Sequence, residues 1–306
     1  IAEIGDSQLP FTAFIDAAEI ARRETRIRPE PILFFSGELE ERLRQNREME
    51  DQMEQALAEG EFVAYYQPKF NMATGKICGA EALVRWQRGP SLLYYPDEFI
   101  PLFERNGFIT EVDFCVLDQA CALLRRRLDS SLPVLPISVN QSRLHLQEEG
   151  YIQRLTEMVK RHRVPPDLIE LELTETAFNG LERLDELAKQ LKEIGFLLSL
   201  DDFGSGYSSL SLLGGFPLDT IKLDRTFMDK ALSSPRSQTI VQKVVELAHE
   251  TGILVICEGV ELPEQARFLL QIGCQHAQGY LYARPMSADA FETLCRQNAA
   301  VPATGR

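Results

Sequence analysis

Six short apolar stretches of this 306-residue chain run into a side chain that could do chemistry. Ile137-Ser138-Val139 leads to Asn140, Ile169-Glu170-Leu171 to Glu172, and Leu197-Leu198-Ser199-Leu200 to Asp201-Asp202. Thr220-Ile221 leads to Lys222, Val255-Ile256-Cys257 to Glu258, and the last of the six carries Gln278. An earlier stretch carries Glu81 and Arg85. The intervals from Asn140 are 32, 29, 21, 36 and 20 residues, about one strand-plus-helix unit each. A single acid at a strand end is ordinarily a loop or helix cap. A series of acids, an amide and a lysine at successive strand ends points to a shared site. Carboxylates gathered in a small volume repel one another unless cations sit among them, and hard oxygen donors suit Mg²⁺ or Mn²⁺. Two such ions about 4 Å apart, bridged by an aspartate, would activate water and clamp a phosphodiester. A nearby lysine could orient that water or neutralise developing charge.

Such side chains meet only if the fold gathers strand ends. The chain from Glu61 onward alternates short apolar runs with helix-length segments. The strand candidates are Phe62–Pro68, Ile77–Val84, Leu135–Val139, Leu168–Leu173, Phe196–Leu200, Thr220–Leu223, Ile253–Ile256 and His276–Leu281. The helix candidates are Pro96–Arg105, Glu111–Leu128, Tyr151–His162, Gly180–Ile194, Gln238–Thr251 and Leu262–Ile272. Eight strands alternating with helices read as an α/β protein of the TIM-like (β/α)8 barrel class, whose strand ends open onto one mouth. A doubly wound open sheet fits less well, because no GxGxxG follows the first strand. Ahead of the barrel lies a helical extension. Phe11–Thr25 has helical periodicity, Pro29 and Pro31 interrupt it, and Leu39, Leu43, Met49, Met53 and Leu57 mark a second amphipathic helix.

Composition narrows the partners. Lys plus Arg number 32 against 46 Asp plus Glu, a net charge of −14 that repels polyanions and argues against a nucleic-acid polymer as partner. Six scattered cysteines without a CxxC pair suit a reducing compartment and give no zinc motif. No apolar run reaches the roughly 18 residues of a membrane span, so no membrane contact is expected from this fragment. The four histidines share no pattern. Asp202-Phe203-Gly204-Ser205-Gly206 alone is a glycine-rich turn and not a phosphate loop. The chain opens on Ile1 without a signal-type leader and reads as a fragment of something longer.

Glu81-Ala82-Leu83-Val84-Arg85-Trp86 resembles the signature of the EAL-domain family of cyclic di-GMP phosphodiesterases. The family's other blocks follow in order: Tyr66-Gln67-Pro68, Ser138 to Ser142, Glu172 to Thr176, Asp201 to Tyr207, Asp219 to Asp224, Glu258 to Glu261, and Gln278-Gly279-Tyr280. Eight ordered blocks across residues 58–297 are far more specific than the three letters of the name. Residues 5–35 resemble the tail of a GGDEF domain. The implied organisation is a remnant of that preceding domain at 1–35, a linker helix at 36–59, the barrel at 60–298 and a C-terminal tail at 299–306.

The resemblance implies a metal-dependent enzyme that hydrolyses cyclic di-GMP to linear pGpG by a two-metal mechanism. It implies Glu81, Asn140, Glu172 and Asp201 as ligands of one ion and Asp201 with Asp202 as ligands of the second, with Glu258 nearby as ligand or water-holder. Lys222 resembles the lysine that positions the attacking water. Gln67, Arg85 and Gln278 match substrate-contacting positions, Arg85 as a forked phosphate donor. Glu175 matches the acid that steadies the loop from Asp201 to Tyr207. The resemblance further implies a homodimer and a cytoplasmic location, with membrane anchoring left to the full-length protein. Ser205 stands where threonine is common and Cys257 where alanine is usual, and residues 87–95 depart from the family pattern. A catalytically silent cyclic di-GMP receptor is the alternative, and an enolase-like barrel using Lys222 as base is a third reading.

Overall fold

A computed structural model describes residues 37–89, 91–130, 132–178, 184–204, 213–226 and 234–300. The helix expected over Phe11–Thr25 and the GGDEF-like segment lie outside these residues, as do the stretch from Ser205 through Tyr207 and the last six residues. The chain divides into two compact units, 1–59 and 60–306. In the first, α1 (Gly37–Ala58) is a charge-rich helix with Met49 and Ala56 buried, on which Arg44 pairs with Glu41 and Glu48 one turn to either side.

In the second unit the strands are β1 (Phe62–Asn71), β2 (Lys76–Arg88), β3 (Leu92–Tyr94), β4 (Ile137–Asn140), β5 (Ile169–Thr174), β6 (Leu197–Phe203), β7 (Thr220–Leu223), β8 (Leu254–Cys257) and β9 (His276–Ala277). Between and after them run α2 (Pro96–Asn106), α3 (Ile109–Leu128), α4 (Tyr151–His162), α5 (Leu184–Ile194), α6 (Pro235–Glu250), α7 (Pro263–Gln271) and α8 (Ala288–Ala300). Pairing runs β1-β9-β8-β7-β6-β5-β4-β2 and closes through β1–β2, giving a closed ring of eight strands. β3 adds to the outside of β2 as a short antiparallel flap.

Within the second unit each expected strand and helix overlaps an observed element, and among the described residues β3 and α8 are added. β3 is three residues long and carries no apolar alternation, and α8 is the helix that the strand-then-helix repeat places after the last strand. One strand also departs from the all-parallel barrel. β1 runs antiparallel to both β2 and β9, because a tight turn at residues 72–75 joins it to β2 with no helix between them. The start of β1, rather than its end, therefore faces the mouth where β4 to β8 end.

The strands divide their side chains by period two. In β5, Ile169, Leu171 and Leu173 are buried in the apolar shell. Glu170 and Glu172 alternate with them and meet lysines of other strands inside the ring. The same parity sends Ile221 and Leu223 outward from β7 while Lys222 points inward. Apolar residues from α3 to α8, among them Leu117, Leu155, Leu191, Val245, Leu269 and Phe291, complete the shell. Each such side chain contributes about 1.5–3 kcal/mol. At the rim, Phe62, Trp86, Phe99 and Phe103 pack in tilted and edge-to-face pairs at centroid distances of 5.1 to 6.0 Å and lock α2 onto the β1–β2 hairpin.

Candidate active site

The side chains expected from the sequence converge around one buried lysine. Lys222 is 1% exposed. Its Nζ lies 2.7 Å from Glu172 Oε2, 2.7 Å from Glu258 Oε1, 3.2 Å from Asp201 Oδ1 and 3.3 Å from Glu81 Oε2. These four acids come from β5, the end of β8, β6 and β2, so the closed ring alone brings them together. Asn140, at the end of β4, donates from Nδ2 to Glu81 Oε1 at 3.0 Å.

The carboxylate oxygens form two clusters. Glu81, Glu172 and Asp201 each offer an oxygen within 4.8 Å of the others, and so do Asp201, Asp202 and Glu258. Asp201 belongs to both. Consecutive strand residues normally point to opposite faces. Here the β6–β7 register shifts between Leu200 and Phe203, and Asp202 takes a left-handed φ of 55°. That bulge turns Asp202 back toward the mouth beside Asp201.

Burial and the two lysines shift the acids in opposite directions. Desolvation, reinforced by Glu172, lifts Glu81 to about 7. Desolvation, reinforced by Asp201 and Glu81, lifts Glu258 to about 8 against the pull of Lys222. Asp201 and Asp202 are also raised, first by burial and then by neighbouring acids. For Glu172 the two lysines Lys222 and Lys69 outweigh burial and hold it down at about 2. Lys222 is raised well above its ordinary value, because its ring of carboxylates outweighs desolvation. Five acids share the pocket with Lys222, and this excess of negative oxygen suits a divalent cation.

Gln278, just past β9, donates from Nε2 to Glu81 Oε2 at 2.6 Å and to Gln67 Oε1 at 3.0 Å. Gln67 donates to the Ala283 carbonyl at 3.2 Å. A β-carbon on Gly279 would sit 2.1 Å from the Val260 carbonyl oxygen, so glycine is required for this turn to pack beside Glu258. Arg85 lies higher on β2, four residues past Glu81, with its guanidinium 5.3 Å from the Tyr95 ring and 5.7 Å from the Tyr65 ring. It donates to the Val84 carbonyl. Glu175 is buried at the start of a 3-10 turn, Glu175–Phe178, after β5, and it is outside both clusters.

Two cavities open at the mouth. One of about 280 Å³ is lined by Gln67, Glu81, Lys222, Glu258, Gln278 and Tyr280 among others, and one of about 340 Å³ by Glu104, Asn140, Arg143, Thr174 and Asp202 among others. Asp201 lines both.

A family model described as EAL domain matches residues 50–285. The chain belongs to the EAL-domain family. Among curated relatives, cyclic di-GMP phosphodiesterase NbdA of Pseudomonas aeruginosa is 36% identical over 264 residues, covering 86% of this chain and 34% of that protein. Cyclic di-GMP phosphodiesterase RocR of the same organism is 36% identical over 242 residues, covering 78% of this chain and 61% of that protein. The chain thus spans about a third of the length of several such relatives. Among solved structures, the PaMucR phosphodiesterase in complex with c-di-GMP superposes with a TM-score of 0.75 at 35% identity, covering 80% of this chain and 99% of that one. The EAL enzyme Bd1971 in its cAMP- and cyclic-di-GMP-bound form gives a TM-score of 0.76 at 27% identity, covering 94% of this chain and 77% of that one.

Inside its ring this EAL domain also buries Lys69 and Glu170, which belong to none of the sequence blocks above. Lys69 on β1 reaches Glu170 Oε2 at 2.6 Å and Glu172 Oε1 at 3.2 Å. Both were signalled by period two: Lys69 lies two residues beyond Gln67, and Glu170 two before Glu172. Among the described residues no helix is long and apolar enough to cross a membrane.

Proposed function

We propose that this EAL domain is a metal-dependent phosphodiesterase that hydrolyses cyclic di-GMP to linear pGpG. The observation that carries the reading is that Asp201 belongs to two oxygen clusters at once, beside a buried lysine. The EAL-domain relatives named for cyclic di-GMP hydrolysis support the choice of substrate. Glu81, Asn140, Glu172 and Asp201 would hold one ion, and Asp201, Asp202 and Glu258 the other, with Mg²⁺ or Mn²⁺ fitting an all-oxygen donor set. Bound there, the two cations would supply Lewis acidity toward the phosphodiester oxygens and an activated water.

The chain's own residues do the rest. Lys222 holds the attacking water in line and offsets charge as it builds on the phosphate. Arg85, kept at the rim between two tyrosine rings, offers a forked donor to a phosphate oxygen. Gln67 and Gln278 present amides to the ligand from the floor of the smaller cavity. Glu175 steadies the turn after Asp201. The two cavities flanking Asp201 suit a ligand with two bulky ends and a scissile bond between them. The active form is a homodimer, and the domain works in the cytoplasm.

The test is turnover. Purified protein with Mg²⁺ or Mn²⁺ should convert cyclic di-GMP to pGpG, resolved by chromatography, and Glu81→Ala should abolish conversion. Tight binding of intact ligand without product in either metal would instead make the domain a receptor.

A further inference from the structure

The interior of the barrel holds a second charged layer beneath the mouth. β1 descends from the rim: Gln67 pairs with Glu81 at mouth level, and Lys69 pairs with Gly79 one step deeper. Lys69 is 3% exposed and Glu170 is 6% exposed. Lys69 Nζ is clamped by Glu170 Oε2 at 2.6 Å and reaches Glu172 Oε1 at 3.2 Å, while Lys222 holds the other oxygen, Glu172 Oε2, at 2.7 Å. Glu172 is thus gripped by one lysine on each oxygen. A β-carbon on Gly79 would lie 3.1 Å from the Pro136 carbonyl oxygen, a tight approach, and 3.6 Å from Lys69 Cδ, an ordinary contact.

We propose that Lys69, anchored by Glu170, is a positioning residue that fixes the orientation of the Glu172 carboxylate for metal binding. The proposal rests on the metal-dependent reading of the cleft. A buried ion pair is costly to assemble, and apolar residues of similar volume often serve folding as well or better. Stability alone therefore gives weak reason to keep Lys69–Glu170 in the barrel. A group that orients a metal ligand gives a strong one, because loss of such a partner costs about 10–100-fold in metal affinity or activity.

Three proteins test this by Mn²⁺ titration followed by electron paramagnetic resonance: wild type, Lys69→Met/Glu170→Leu and Glu170→Gln. The double variant removes both charges, leaves no unpaired ion behind, and should melt within a few degrees of wild type. It should bind Mn²⁺ about 10–100-fold more weakly, with kcat reduced and KM little changed. Glu170→Gln keeps Lys69 but loosens its anchor and should fall between. Wild-type Mn²⁺ affinity in the double variant would overturn the proposal. Should that variant fail to fold, unchanged affinity in Glu170→Gln would do the same. The titration needs no turnover, so wild-type protein that binds Mn²⁺ yet leaves cyclic di-GMP intact would defeat the hydrolytic reading alone. Wild-type protein that binds no Mn²⁺ would defeat both.

Discussion

Asp201 and Asp202 are neighbours in sequence and also in function, because the left-handed backbone of Asp202, with φ of 55°, brings both carboxylates among oxygens within 4.8 Å of one another. Asparagine tolerates this conformation and alanine does not, the difference being about 1–2 kcal/mol. Asp202→Asn should therefore melt close to wild type yet lose about 100-fold or more in turnover. Asp202→Ala should lose activity and also melt a few degrees lower. Calorimetry with a turnover assay separates the two effects, and equal melting of both variants would remove the backbone argument.

Lys222 sits among four carboxylates at 2.7 to 3.3 Å with almost no access to water. Removing one partner of such a buried arrangement costs about 3–5 kcal/mol. Lys222→Met should abolish turnover and lower the metal-free melting temperature by roughly 6–20 °C for a domain of this size. Mg²⁺ should restore a larger share of stability to the variant than it adds to wild type, since the cation replaces missing positive charge. Melting curves with and without EDTA read this directly.

The barrel closes between β1 and β9 through only two residue pairs, Phe70 with Ala277 and Asn71 with His276. Burial first, then His249, lowers the His276 imidazole below its ordinary value. A histidine held neutral in the folded state contributes stability above its unfolded value near 6.5, and that contribution is lost as pH falls through the folded value. Melting temperature should therefore drop on acidification below about pH 6.5, and His276→Asn should flatten that drop. An unchanged acid limb in the variant would contradict the assignment.

Much of the site was legible because barrel strands end in the side chains they present. Asn140, Glu172, Asp201, Lys222 and Glu258 each follow an apolar run at the expected interval, and the closed ring gathers them. The reversal of β1 was not legible, since an apolar alternation reads the same in either direction. For the same reason Lys69 escaped notice, because its place beneath Glu172 depends on β1 running down into the barrel. Nor did the sequence announce the bulge at Asp202, which only the register with β7 reveals. Arg85 was identified by its match to the family motif, whereas its place beside Tyr65 of β1 and Tyr95 just after β3 depends on how those strands pack.

The proposed chemistry depends on paired divalent ions that share Asp201. Crystals soaked in Mn²⁺ and measured at the manganese absorption edge test it most directly. Two anomalous peaks about 4 Å apart are expected, both ligated by Asp201, with Glu81, Asn140 and Glu172 on one and Asp202 and Glu258 on the other. A single peak, or two peaks that do not share Asp201, would contradict it.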